Sequence, residues 1–287
     1  MLKIDWHSGF VSAMKLEFIE NENDLTYHEE HQLANRSQRI DLLIIKNENA
    51  SKIINPIGSI FSRFNVCEYK SPEQSLSYGD FYKVLAYTGL HLYETYDKQY
   101  NANDYTITFV REPHPYNLFT RLRKDGIVIS SDRQGIYRLS NKLPFKTQVI
   151  VTKELPREVK SWLKCLTRRG TYDNLECIIS NTRALNERNK QHADNIMNIF
   201  TATNMDLVNR TIKEEPSMCQ AVNELFADEI NQMKIIIADK DAQLADIGSQ
   251  LAGLGTKLND KDEQLASKDA IIAKLQAELE KYKNQAK

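Results

Sequence analysis

The chain has no long apolar run, no excess of one charge and no spaced cysteine pairs, and each absence removes a class of explanation. No stretch approaches the roughly 20 apolar residues that span a bilayer, so no membrane partner is expected. Near Met1, residues Asp5, Trp6 and His7 interrupt any apolar core of a signal peptide, which points to a cytoplasmic protein. The formal charge is −1, so bulk attraction to nucleic acid is excluded and any such contact must come from a local patch. Cys67, Cys165, Cys177 and Cys219 lack metal-type spacing and sit in apolar or helical settings, where they read as reduced packing residues. The 287 residues leave room for one substantial core and an accessory region.

What is present divides into three parts: 1–153, 154–224 and 225–287. In the first, Phe10, Met14 and Phe18 repeat at four-residue spacing and predict a helix over 5–20, with Glu17 beside the apolar stripe. Leu25 to Leu33 and Arg39 to Lys46 read as a hairpin across the polar turn Asn35-Arg36-Ser37. Asn55-Pro56 predicts a helix start leading through Ile57 to Phe64, and Asn65 to Lys70 predicts a short strand. Ser77-Tyr78-Gly79-Asp80 has capping-box spacing and opens a helix to about Tyr93. Strands are expected at Thr106–Val110, Gly126–Ser130, Gly135–Leu139 and Lys146–Thr152, with a helix at Tyr116–Lys124. Interleaved strands and helices make this part mixed α+β, with a central mixed sheet flanked by helices.

Strand patterns vanish after Pro156, and several helices follow, with a break at Glu215-Pro216. From Ile230 a heptad seam begins. Its first core position holds Ile230, Ile237, Leu244, Leu251, Leu258, Leu265, Ile272 and Leu279. Its second holds Met233, Lys240, Ile247, Leu254, Lys261, Lys268, Leu275 and Tyr282. Asp239 to Ala245 recurs as Asp260 to Ala266, a shift of three whole heptads that preserves the register. A helix reaching about 80 Å is too long to fold back without a break. A homo-oligomer through residues 230–282, or another coiled-coil partner, is expected. Gly253-Leu254-Gly255 lies inside the heptads with no strand before it, which excludes a nucleotide loop.

Three charges occupy apolar strands: Asp41 within Ile40 to Ile45, then Glu68 and Lys70 within Asn65 to Lys70. Burying a carboxylate is costly unless it is paired or holds a metal. Residues two apart on a strand share a face, about 7 Å apart, so Glu68 and Lys70 point the same way. Asp41 and Glu68 offer hard oxygens to Mg²⁺ or Mn²⁺, and Lys70 can orient or deprotonate a water and offset charge on a phosphate. The same residues also fit a hairpin end and an edge-strand ion pair worth under about 1 kcal/mol. Glu158-Val159-Lys160 shows how cheaply the triplet arises, since it fits the pattern in a helical setting.

With Arg39-Ile40-Asp41-Leu42-Leu43-Ile44-Ile45-Lys46, then Glu68-Tyr69-Lys70-Ser71-Pro72 and Asp80-Phe81-Tyr82-Lys83, the chain resembles the PD-(D/E)XK nuclease superfamily. Within it, the resemblance is to bacterial proteins related to recombination-promoting nucleases and putative transposases. It covers about residues 5 to 153 and implies a restriction-endonuclease-like core. It also implies Asp41 and Glu68 as metal ligands, with Lys70 as the catalytic lysine. Ile40 stands where the superfamily's naming proline would be. Some members add an acid from the first helix, for which Glu17 is the candidate; a solvated helix carboxylate is the other reading.

Between Tyr105 and Gly170, fourteen Lys or Arg face five acids, a difference of +9. That excess, which includes Arg121, Arg123 and Lys124, fits sequence-independent contact with DNA phosphates. Lys83 is a further phosphate contact candidate, sharing a helix face with Tyr87. Two functions are consistent with these features. One is a Mg²⁺-dependent or Mn²⁺-dependent endonuclease hydrolysing DNA, oligomerised or tethered by its C-terminal coil. The other is an inactive nuclease-fold scaffold acting as a coiled-coil interaction protein.

Overall fold

The structure, a computed structural model, describes residues 4–33, 39–95, 99–156, 159, 161–214 and 216–285. The turn Asn35–Ser37, Arg157 and both charges of the Glu158 to Lys160 triplet lie outside the described residues.

The first helix, α1 (Trp6–Glu17), starts at Asp5, whose side chain accepts from the Ser8 N–H, and buries Phe10 and Met14. It is shorter than the predicted 5–20. Residues Ile19–Asp24 form a 3₁₀ turn, because Asn21 engages Asp24, Ser51 and the Lys52 carbonyl. The hairpin strands follow as β1 (Leu25–Gln32) and β2 (Arg39–Lys46), paired antiparallel as their alternation requires. The helix expected from Ile57 to Phe64 is reduced to a 3₁₀ turn at Pro56–Ile60. Phe64 instead opens β3 (Phe64–Lys70), where its ring stacks on Tyr105 at 4.8 Å.

The capping box at Ser77 opens α2 (Tyr78–Glu94), which leads to β4 (Tyr105–Arg111). Then come α3 (Tyr116–Lys124), β5 (Val128–Arg133), β6 (Ile136–Ser140) and β7 (Lys146–Val151). The result is mixed α+β with a seven-stranded sheet in the order β1-β2-β3-β4-β7-β6-β5. The centre, β3-β4-β7, is parallel, and both sides are antiparallel. Parallel strands need both faces covered, and every residue of β4 is buried. Phe81 of α2 meets Phe109 of β4 at 5.4 Å on one face, alongside Leu118, Phe119 and Leu122 of α3. On the other face, Phe10 of α1 stacks on Tyr69 of β3 at 4.8 Å.

Three helices complete this part: α4 (Tyr172–Thr182), α5 (Glu187–Thr203) and α6 (Met205–Glu214). Where the sequence sets a boundary after residue 153, α5 packs on α1 within one compact unit, residues 1–221. Gly9 permits the contact, since a Cβ there would lie 2.3 Å from Ile199 Cδ1. The second unit is 222–287. It consists of most of α7 (Pro216–Gln285), whose first residue is a proline in the position helices tolerate best. At 70 residues α7 is about 105 Å long. Its seam residues Ile237, Leu244, Ile247, Leu251, Leu254 and Leu258 are all exposed. The seam side chains of Ile230, Met233 and Tyr282 lie outside those described. No helix among the described residues is long and apolar enough to cross a membrane.

Candidate active site

The site is built on β3. Alternation sends Phe64, Val66, Glu68 and Lys70 towards α2, and Asn65, Cys67 and Tyr69 towards α1. Phe64 and Val66 join the core beneath α2 while Tyr69 is held by Phe10. The strand is clamped from both sides, and Glu68 is only 3 % exposed although it is a carboxylate. Across the sheet, Leu42 of β2 pairs with Cys67 of β3, so the next residues in line are Asp41 and Glu68. Directly opposed residues of antiparallel strands leave the sheet on the same side.

The hydrogen bonds form a chain. Asp41 Oδ2 accepts from the Tyr69 N–H at 3.1 Å. Glu68 Oε1 accepts from Lys70 Nζ at 3.0 Å and from Lys83 Nζ at 2.8 Å. Lys70 Nζ also donates to Asp80 Oδ1 at 2.9 Å. The other oxygen of Asp80 takes the Ser77 N–H at 2.9 Å and the Ser77 hydroxyl at 2.6 Å. The cap of α2 thus fixes the acid that fixes Lys70.

Electrostatics separate Asp41 from Asp80. Burial, then the charge of Glu68, pushes the Asp41 carboxyl up to about 6, against the Tyr69 N–H, His7 and Lys83, which favour its charge. Burial works against an ionised Asp80 too, but hydrogen bonds from Ser77 and Lys70 outweigh it and hold that group at about 2. Burial alone lowers the Lys70 pKa, yet Asp80 and Glu68 together raise it, so Lys70 stays an ammonium.

Asp41, Glu68, Lys70 and Lys83 line a cleft of about 720 Å³ at the C-terminal end of β3, where open sheets with parallel strands present ligand sites. Trp6 and His7 at the start of α1, together with Arg168, complete its wall. Arg168 is paired with Glu73 and lies 5.9 Å from the Trp6 ring. His7 Nε2 is buried with no hydrogen-bond partner among the described residues.

Asp41 Oδ1 and Glu68 Oε2 carry no hydrogen bond among the described residues, so each carboxylate keeps one oxygen available. Mg²⁺ takes one or two carboxylates and keeps water on its other positions. Among the described residues no group of three or more His, Cys, Asp or Glu is set to hold a metal. Two carboxylates with one open oxygen each are the kind of donor set a hard, water-rich cation accepts, fewer than the four ligands of a closed zinc cage.

Asp41, Glu68, Lys70 and Lys83 are brought together, and Lys83 Nζ also lies 5.7 Å from the Tyr87 ring centroid. Glu17 is not among them. It sits at the far end of α1 from His7, about 15 Å along the helix. There its carboxylate accepts from the Leu163 N–H at 3.2 Å, from Asn55 Nδ2 at 2.8 Å and from the Ser161 hydroxyl. Burial raises its pKa, and these bonds hold Glu17 outside the cleft lined by Asp41 and Glu68, where a metal role was expected of it. Arg121 lies 3.9 Å from the Tyr78 ring centroid and Arg123 lies 5.8 Å from that of Phe119. With Lys124 they are exposed on α3, outside the cleft lining. Several other cations of the basic stretch serve the fold, as Lys142 does on the Asp125 carbonyl and Lys164 on those of Leu155 and Pro156.

Sequence reasoning did not assign Asp80, His7 or Arg168 to the site. Asp80 carried a usable signal, because a capping box engages one carboxylate oxygen and leaves the other free. His7 and Arg168 carried none. No family model matches the chain, and neither does any curated protein or solved structure.

Proposed function

We propose that the protein is a metal-dependent phosphodiesterase acting on DNA, with its active site in the Asp41, Glu68 and Lys70 cleft and a restriction-endonuclease-like core around it. The observation that carries this reading is Asp41 opposite Glu68, each with one oxygen uncommitted, beside an ammonium held by Asp80. Residues Asp41 and Glu68 would hold Mg²⁺ or Mn²⁺, which supplies Lewis acidity and a more acidic water. Lys70 acts through its charge. Its raised pKa suits it to orient a phosphate and offset the charge that develops there, and unsuits it to act as a base. Asp80 positions Lys70, and Lys83 holds the Glu68 carboxylate. Arg168 and Lys83 in the cleft wall, with the exposed α3 cations, supply sequence-independent phosphate contacts.

The test is cleavage of supercoiled plasmid DNA with Mg²⁺ or Mn²⁺ by the full chain and by Asp41→Asn and Lys70→Ala. Both variants should be slower by at least about a hundredfold. Mn²⁺ binding by calorimetry should weaken as pH falls through about 6, where Asp41 takes up a proton and ceases to be a ligand. Absence of cleavage with either metal, or equal cleavage by all three proteins, overturns the reading.

A further inference from the structure

Helix α7 has a charge pattern that its own helical neighbours do not satisfy. Lys240, Lys261 and Lys268 occupy the second core position of the heptads, among exposed apolar neighbours. On one helix, an ion pair needs partners three or four residues apart. The residues at those distances from the three lysines are Ile236, Ile237, Gln243, Leu244, Lys257, Leu258, Gln264, Leu265, Ile271 and Ile272, none of them acidic. Among the described residues, Lys240 Nζ reaches the neutral Gln243 Oε1, at 3.1 Å, and no acid. Each lysine is followed at once by an acid, Asp241, Asp262 or Asp269, and adjacent residues do not face each other on a helix. These three aspartates have no cation three or four residues away either.

The coincidence runs further. Where the second core position is Ile247 or Leu254, the next residue is Gly248 or Gly255, and after Leu275 it is Gln276. Among Lys240 to Leu275, aspartate occupies that flanking position only beside a core lysine. We propose that α7 pairs with a second copy of this chain as a parallel, in-register two-stranded coil, in which each core lysine is neutralised by the flanking aspartate of the partner helix. In a parallel pair, matching core positions face each other and the flanking position lies beside the partner's core residue, so all three lysines meet an acid. A slip of one heptad towards the C-terminus sets Lys240 beside Gly248 and Lys268 beside Gln276, leaving one of the three matched. An antiparallel pair sets flanking position against flanking position and leaves the lysines facing leucine or isoleucine. Two strands let a long lysine stem run along the seam with its head in water, whereas a larger bundle would enclose it.

The experiment is a charge exchange in the full chain, read by sedimentation equilibrium. Wild type should have twice the 33.2 kDa chain mass. Asp241→Lys with Asp262→Lys and Asp269→Lys should fall to the single mass, as should Lys240→Glu with Lys261→Glu and Lys268→Glu. Mixing the two variants should restore the double mass, because each then offers the sign the other lacks. Recovery on mixing shows that neither variant is merely unfolded. In parallel, Leu251→Cys should cross-link to itself under mild oxidation, since identical first core positions face each other only in a parallel coil. A wild-type mass of one chain or of three or more overturns the proposal. So does a mixture that stays at the single mass, or a dimer whose Leu251→Cys form does not cross-link.

Discussion

Lys70 in the sheet unit and Lys261 in α7 each carry an ammonium where patterning assigns a core, yet they find counter-charges on different scales. Lys70 sits between Glu68 and Asp80, two and ten residues away, because a strand and a capped helix converge on one cleft. Lys261 has no acid at the spacing a helix can use. The difference teaches that a cation at a core position is answered by whatever surface is set against it. For Lys70 that surface is the chain's own fold. For Lys261 it is the second copy proposed for α7.

Removing each charge should therefore have opposite signs. Lys70→Met leaves Glu68 with Lys83 alone and Asp80 without its cation, and should destabilise the folded unit by about 2–3 kcal/mol in urea titrations. A loss below about 0.5 kcal/mol would erase the contrast. Asp41→Asn should do the reverse at high pH. The Asp41 carboxyl is raised from 3.8 to about 6, so its protonated form stabilises the fold. That contribution is complete below about 3.8 and is lost as pH rises through about 6. The variant should exceed wild type by about 1–2 kcal/mol at pH 8, the lower part of the range because the group is partly exposed. The gap should close by pH 4, and an unchanged gap would remove burial as its cause. In the coil, Lys261→Leu should raise dimer stability by about 1 kcal/mol while relaxing the register, seen as cross-linking between unmatched cysteines.

The contrast also explains what could be read from sequence. The hairpin, β3, the capped α2 and the bounds of α3 were legible because their signals are local: alternation, a cap, a helical period. Asp41, Glu68 and Lys70 were legible because charges on apolar strands are anomalies. The place of Glu17 was not legible because its surroundings come from Ser161 and Leu163, far along the chain, and a helix stripe cannot reveal which end of the helix lies at the C-terminal end of β3. His7 and Arg168 were hidden for the same reason. The 3₁₀ turn at Pro56–Ile60 was hidden because Phe64 is claimed by the Tyr105 ring, a contact no local spacing records.

The smallest expected effect lies at the joint between local and distant structure. Ser77 caps α2 through its hydroxyl and also donates to the Asp80 oxygen opposite the one that holds Lys70. Ser77→Ala removes a cap worth about 1 kcal/mol, which thermal or urea melts at pH 7 should register. It should also change the acid limb. The Asp80 pKa is depressed from 3.8 to about 2, so its contribution is present above 3.8 and is lost as pH falls through about 2. Without the hydroxyl, only the backbone N–H and Lys70 hold that carboxylate, so its pKa rises and acid unfolding begins at a higher pH. Ser77→Thr keeps the hydroxyl and should restore both. If Ser77→Ala lowers stability equally at every pH, the cap acts on the helix alone and Lys70 is positioned by other means.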